Sequence, residues 1–221
     1  MPTLLAVVNL ADLDGTNGFR LNGIDRSDFS GTSVSNAGDI NGDGFDDVII
    51  GAFGADPNGI SNAGESYVVF GAAGGFSPSL SLAALDGSNG FRLDGIDRFD
   101  NSGISVSGAG DVNGDGFDDV IIGFEEFNPG FLGAGESYVV FGAAGGFSPS
   151  LSLAALDGNN GFRLDRIFFS SNSTSVSGAG DVNGDGFDDL IIGFQNDNIT
   201  AGELCGVWWS FASGYRGNTG R

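Results

Sequence analysis

The chain has 221 residues, 40% of them apolar, with 41 glycines and 5 prolines. That length can bury a real core, and the glycine content calls for many tight turns. Histidine is absent, all eight basic residues are arginine, and the formal charge of −21 argues against nucleic acid or an anionic membrane as partner. The opening Met-Pro-Thr-Leu-Leu-Ala-Val-Val has no basic segment. Its apolar run is too short for a secretion signal or a membrane span, so no membrane insertion is expected. The single cysteine, Cys205, supplies no disulfide framework.

Residues 8–19 match residues 80–91 at a distance of 72, so the chain begins partway through a repeated unit. Asp14-Gly15 and Asn17-Gly18 are turn signals. They lead into Gly-Phe-Arg-Leu at 18–21, whose alternation suits an exposed strand with a solvated arginine. Residues 32–35 (Thr-Ser-Val-Ser) form a short strand of small side chains, and a second strand is expected at 47–52. After the turn Asp56-Pro57-Asn58-Gly59, a third falls at 66–70 (Ser-Tyr-Val-Val-Phe). Neither of these last two alternates, which is the mark of a strand buried on both faces. Residues 71–78 read as a loop, and Phe-Arg-Leu-Asp at 91–94 repeats the exposed strand. The second unit places its strands at 104–107, 119–123, 137–141 and 162–165, and the third at 174–177 and 189–193.

Between the first two strands of every unit lies the same loop. Asp-Ile-Asn-Gly-Asp-Gly-Phe-Asp-Asp at 39–47 returns at 111–119 and 181–189, with valine for isoleucine, at spacings of 72 and 70. Each copy has oxygen-bearing side chains at positions 1, 3, 5 and 9 and glycine at 6. Alternate side chains can converge on one point while glycine permits the sharp turn between them, and a set made only of oxygens suits Ca²⁺. An EF-hand would need glutamate at position 12 and helices on both sides. Position 12 is Ile50, Ile122 or Ile192, inside β-branched strand runs. A β-roll nonapeptide would recur every nine residues, and this loop does not. A solvated Asp/Asn/Gly turn accounts for one such loop, but poorly for three with the same oxygen pattern. About three Ca²⁺ are therefore expected; they would bring the formal charge from −21 to −15.

The unit at 31–52, Gly-Thr-Ser-Val-Ser-Asn-Ala-Gly followed by the loop and Val-Ile-Ile-Gly-Ala, resembles an FG-GAP repeat. Such repeats build the β-propeller of integrin α-chains and of many bacterial surface proteins. The likeness runs to Glu203 and is most specific in the loop. The flanking signature departs from the family pattern at Ser30-Gly31, Ser102-Gly103 and Asn172-Ser173, and again at Phe53, Phe124-Glu125 and Phe194-Gln195.

The resemblance implies an all-β chain, an incomplete β-propeller of four-stranded blades. The small-residue strand would be innermost and the Phe-Arg-Leu strand outermost. Residues 1–25 would then hold the outer strand of a preceding blade, 26–97 and 98–167 two blades, and 168–203 part of a third. Propellers close with typically 4–8 blades, so this count leaves open faces and strand edges prone to self-association. Carried over residue by residue, the first calcium site uses Asp39, Asn41, Asp43, Asp47 and the Phe45 carbonyl. The second uses Asp111, Asn113, Asp115, Asp119 and the Phe117 carbonyl. The third uses Asp181, Asn183, Asp185, Asp189 and the Phe187 carbonyl. Asp46, Asp118 and Asp188 are read as solvent-facing, and Glu65, Glu136 and Glu203 as surface residues or turn partners.

Catalysis finds little support. Every Asp pair of the loops sits in an expected metal site, and His and Lys, the usual bases, are absent. The expected role is an extracellular or cell-surface binding or adhesion scaffold for a protein or glycan ligand, with structural calcium and no enzyme activity. A carbohydrate-binding or accessory module of a larger secreted enzyme is the alternative, and a non-functional truncated product a third. In the tail at 204–221 the repeat fails: Glu-Ser-Tyr-Val-Val-Phe-Gly becomes Glu-Leu-Cys-Gly-Val-Trp-Trp, with the only cysteine and both tryptophans of the chain. Loss of two nucleotides from one synonymous coding of the expected segment yields these residues in order, so the tail reads as frameshifted.

Overall fold

The computed structural model describes residues 9–125, 136–165 and 174–194. The tail and Glu203 lie outside these described residues. Among the described residues helix is confined to four three-residue 3-10 turns, and thirteen strands carry the fold. In chain order they are β1 (Arg20–Asn22), β2 (Val34–Gly38), β3 (Asp47–Ala52), β4 (Glu65–Val69), β5 (Ser79–Ser81), β6 (Gly90–Asp94), β7 (Ser105–Gly110), β8 (Asp119–Gly123), β9 (Glu136–Val140), β10 (Ser150–Ser152), β11 (Gly161–Asp165), β12 (Thr174–Gly180) and β13 (Asp189–Phe194). No helix among the described residues is long and apolar enough to cross a membrane.

Antiparallel pairing orders one sheet β2-β3-β4-β6, and β10 adds to its outer edge in parallel. The second sheet runs β7-β8-β9-β11, and β12 pairs with β13 in a third. These are successive blades of an incomplete, all-β propeller. The inner strands β2, β7 and β12 stand side by side, each bulged before its loop.

The non-alternating runs are buried on both faces wherever a described blade lies on either side, and only Val48 and Ile191, on the outer faces of the first and third blades, are exposed. Ile49, Val68 and Phe91 form a row across the first sheet and pack against Val106, Val120 and Ile122 of the second. Ile121 and Val139 face the other way, onto Val176, Leu190 and Ile192 of the third. The opposite face of the first blade packs Ile50, Tyr67 and Val69 against Leu21, Phe76 and Leu80. Each buried Val, Ile or Phe contributes roughly 1.5–3 kcal/mol, so the cohesion of the chain lies between blades.

Two features depart from the sequence reading. The first is the short strand Ser-Leu-Ser. β10, which follows the second blade's third strand, pairs with the first blade's outer strand, Ser150 opposite Arg92. β5 pairs with β1 in the same register, Ser79 opposite Arg20. The first sheet therefore has five strands, its outer edge latched by the next repeat.

The second is Glu65, which is buried rather than at the surface. It sits opposite Asp94 in the ladder, accepts a hydrogen bond from the Tyr67 hydroxyl and faces Arg92 at 3.6 Å. Arg92 in turn binds both oxygens of Asp94, at 2.5 and 3.2 Å, so it is paired rather than solvated. The second blade repeats the arrangement with Glu136, Tyr138, Arg163 and Asp165, where Arg163 lies 3.0 Å from Glu136. Burial raises the Glu65 carboxyl above its ordinary range, while Tyr67 and Arg92 pull it back. Tyr67→Phe removes the hydroxyl from that buried carboxylate and is expected to cost about 1–3 kcal/mol. Urea unfolding of the variant beside the parent chain measures it.

Candidate metal centre

All three loops fold alike. Glycines at positions 4 and 6 adopt positive φ, 73° and 90° for Gly42 and Gly44 in the first loop. A side chain there would be strained, so the sequence can place glycine and little else. These turns aim backbone amides inward, where the oxygen side chains receive them. In the first loop Asp39 accepts from the amides of Asp43 (3.0 Å) and Gly44 (2.9 Å). Asn41 Oδ1 accepts from Asp43 N, and Asp43 Oδ1 from Phe45 N. Asn41 Nδ2 donates to Asp43 Oδ2 at 3.1 Å.

The second and third loops reproduce this skeleton. Asp111 and Asp181 take the amides of Asp115 and Gly116, and of Asp185 and Gly186. Asn113 and Asn183 accept from Asp115 N and Asp185 N, both at 2.8 Å. Phe117 N and Phe187 N donate to Asp115 and Asp185, as Phe45 N does to Asp43.

The position-9 aspartate enters from the base of the second strand and is buried. Asp47 accepts from Ile40 N (3.0 Å) and from Gly71 N (2.7 Å), tying the loop to the end of β4. Asp119 does the same with Val112 N and Gly142 N, both at 2.9 Å. Asp189 accepts from Val182 N and from the Asn183 side chain. Burial pushes the Asp119 carboxyl up to about 7, and the negative charges of Asp115 and Asp111 push the same way. Asp47 is pushed up to about 6 by burial first, with Asp43 and Asp39 adding to it. The carboxylates of one loop thus lie close enough to disfavour one another's charge.

Among the described residues no three Asp, Glu, His or Cys side chains converge tightly enough to hold a metal ion as they stand. The loop carboxylates turn toward the loop's own amides. In the first two loops Asp39 and Asp111 accept from two and three loop amides, and Asp43 and Asp115 from one amide and one asparagine side chain, of about four acceptor positions that an ionised carboxylate has. The donor set fits a hard cation in type: oxygens only, mutually repelling, on a loop of fixed shape.

Position 8 is where sequence reasoning fell short. Asp118 and Asp188 are not solvent-facing charges but clasps between blades. Asp118 Oδ2 accepts from Asp39 N at 2.7 Å, while Asp118 N donates to Asp39 O at 3.3 Å. Asp188 holds Asp111 in the same way, at 2.9 and 3.1 Å. The first residue of each of these two loops is thereby fixed by the next blade. Asp46, with no described blade before it, is exposed as expected. The signal was an aspartate at position 8 in all three copies, where a free surface position had no reason to keep it.

Comparison with known proteins places this geometry. The FG-GAP repeat family profile matches residues 30–69, 102–140 and 173–204, together half of the chain. The chain is also similar to integrin alpha-5 of Xenopus laevis, 30% identical over 193 residues, which covers 86% of this chain and 17% of the relative. Integrin alpha-3 of Cricetulus griseus is 28% identical over 171 residues, 77% of this chain and 14% of the relative. Integrin alpha-PS2 of Drosophila melanogaster is 28% identical over 190 residues, covering 83% and 13%. The chain spans less than a fifth of the length of these relatives. Three copies of the repeat, stacked blade on blade around one recurring loop, make this chain a member of the FG-GAP repeat family, similar to integrin alpha-chains.

Proposed function

We propose that the chain is a calcium-binding β-propeller module that serves as an extracellular binding or adhesion scaffold, its calcium structural. The observation that carries the reading is the loop's recurrence. Three copies keep the same oxygen side chains on the same backbone skeleton, and two of them are clasped to the following blade by an aspartate. Asp39, Asn41, Asp43 and Asp47 with the Phe45 carbonyl would hold the first ion, and the matching residues of 111–119 and 181–189 the other two. A cation supplies the positive charge that relieves the repulsion within each loop.

The role follows from what such a site does to the chain. An ion held by one loop stiffens the connection between the inner two strands of its blade, and the position-8 clasp passes that rigidity to the neighbouring blade. Such a device holds a surface in shape. The residues 1–25, 26–97, 98–167 and 168–203 divide the chain into an outer strand, two blades and a partial third on this reading. Similarity to integrin alpha-chains supports an adhesion-type role outside the cell, with a protein or glycan as ligand. Three aspartates per site without a bidentate glutamate match a Kd on the order of 10⁻⁴–10⁻³ M, the range of extracellular modules. Calorimetric titration of the full chain is expected to show calcium heats in that range. Silence at millimolar calcium would refute the proposal.

A further inference from the structure

The repeats meet through one interface that the chain uses twice. Val106 N donates to Ser33 Oγ (2.9 Å) where the second blade seats on the first, and Val176 N to Ser105 Oγ (3.1 Å) where the third seats on the second. The Asp118 and Asp188 clasps lie at these two junctions. So do the rings of Phe117 and Phe187, which occupy the space that a Cβ on Gly42 or Gly114 would need. Every blade thus carries a projecting side (valine amide, aspartate, phenylalanine) and a receiving side (serine hydroxyl, aspartate amide, glycine).

At the two ends of the described array the same parts have no partner blade among the described residues. On the projecting side of the first blade Val34 is 65% exposed, where its counterparts Val106 and Val176 are 4% and 6% exposed. Phe45 and Asp46 beside it are exposed too. On the receiving side of the third blade Val182 and Ile191 are 53% and 41% exposed, where Val112 and Ile121 are fully buried. A Cβ placed on Gly180 or Gly184 would meet nothing within 4 Å among the described residues, so both receiving positions stand open there.

The outer edge completes the match. β1 pairs with β5 in the register that joins β6 to β10, so β1 occupies the place of an outer strand in a blade before the first. The described strands of the third blade are its two inner ones, β12 and β13. Each end carries what the other end receives.

We propose that the partner of these surfaces is a second copy of this chain, docked head to tail. The first blade of one copy seats on the third blade of another, Asp46 on the amide of Asp181, Phe45 over Gly184, and Val34 N on Ser175 Oγ. The interface is heterologous, so association adds copies until the ring of blades closes, and two copies bring about six blades, within the 4–8 at which propellers close. The formal charge of −21 per chain opposes the encounter. Salt at about 0.15 M screens exposed charges beyond about 8 Å and permits it.

Sedimentation velocity on the full chain at tens of micromolar in that salt tests the proposal, with two variants at exposed positions, Val34→Glu and Ile191→Glu. Circular dichroism establishes that both fold. The parent chain is expected to form concentration-dependent dimers or larger oligomers. Each variant alone should be a monomer, because one of its two surfaces is spoiled. Mixed in equal amounts they should form a heterodimer, since each retains the surface the other needs. A monomeric parent chain would overturn the proposal and leave these surfaces to other blades. A variant that still dimerises by itself would overturn it in favour of a like-to-like contact.

Discussion

Gly51→Ala is expected to unsettle the chain far more than Gly193→Ala, although the two glycines hold the same place in their repeats. A Cβ on Gly51 would land on the Gly103 carbonyl oxygen of the second blade, well inside van der Waals distance. That oxygen is backbone, and Gly103 is itself held by a hydrogen bond from its amide to Gly123 O at 2.9 Å. Neither partner can swing aside, so the blades must part. The cost expected for such overpacking is about 1–3 kcal/mol, and more if the blades separate. At Gly193 the nearest atoms are those of Ser175, at 3.9 Å, an ordinary contact. A methyl group there should change stability by no more than about 0.5 kcal/mol. Urea unfolding of dilute protein compares the pair. Equal losses would mean that the close approach of blades does not set the fold's stability.

The second large effect concerns two aspartates three residues apart. Asp115 and Asp118 both belong to the second loop, but their side chains do different work. Asp115 Oδ1 takes Phe117 N within the loop and is an expected calcium ligand. Asp118 reaches across to Asp39 of the first blade. Calcium at ten to a hundred times its Kd stabilises by about 1.4–2.7 kcal/mol per site. Asp115→Ala should lose that increment for one site while keeping most of its stability in chelator. Asp118→Ala should behave in the opposite way, less stable in chelator by about 1–3 kcal/mol through the orphaned Asp39 amide, yet still gaining from calcium. Thermal unfolding with and without calcium separates the two. The same calcium-dependent rise in both variants would contradict the ligand assignment.

Much of this architecture could be read from the sequence because its signals are local and repeated. The Val-Ile-Ile and Tyr-Val-Val runs have no polar face to turn outward, and β3, β4, β8 and β9 are accordingly buried on both faces, with Val48 of β3 the one exposed hydrophobic among them. Glycine at loop position 6 marks a backbone that has to turn through positive φ, as Gly44, Gly116 and Gly186 do. What escaped the sequence depends on partners far along the chain. Asp118 looked like a free charge because the amide it holds lies 79 residues earlier. Glu65 looked like a surface residue because the arginine that compensates it arrives only with β6, at Arg92. The three residues of β5 or β10 carry too little pattern to announce a strand. Their pairing is parallel and reaches the outer strand of another blade, so no hairpin turn betrays it.

The loops hold calcium on this account, and counting the bound ions by equilibrium dialysis tests that most directly. At saturating calcium the parent chain should bind about three ions, Asp115→Ala about two and Asp118→Ala about three, one site per intact loop. A parent chain that binds none, or an Asp115→Ala chain that binds as many ions as its parent, would contradict the account.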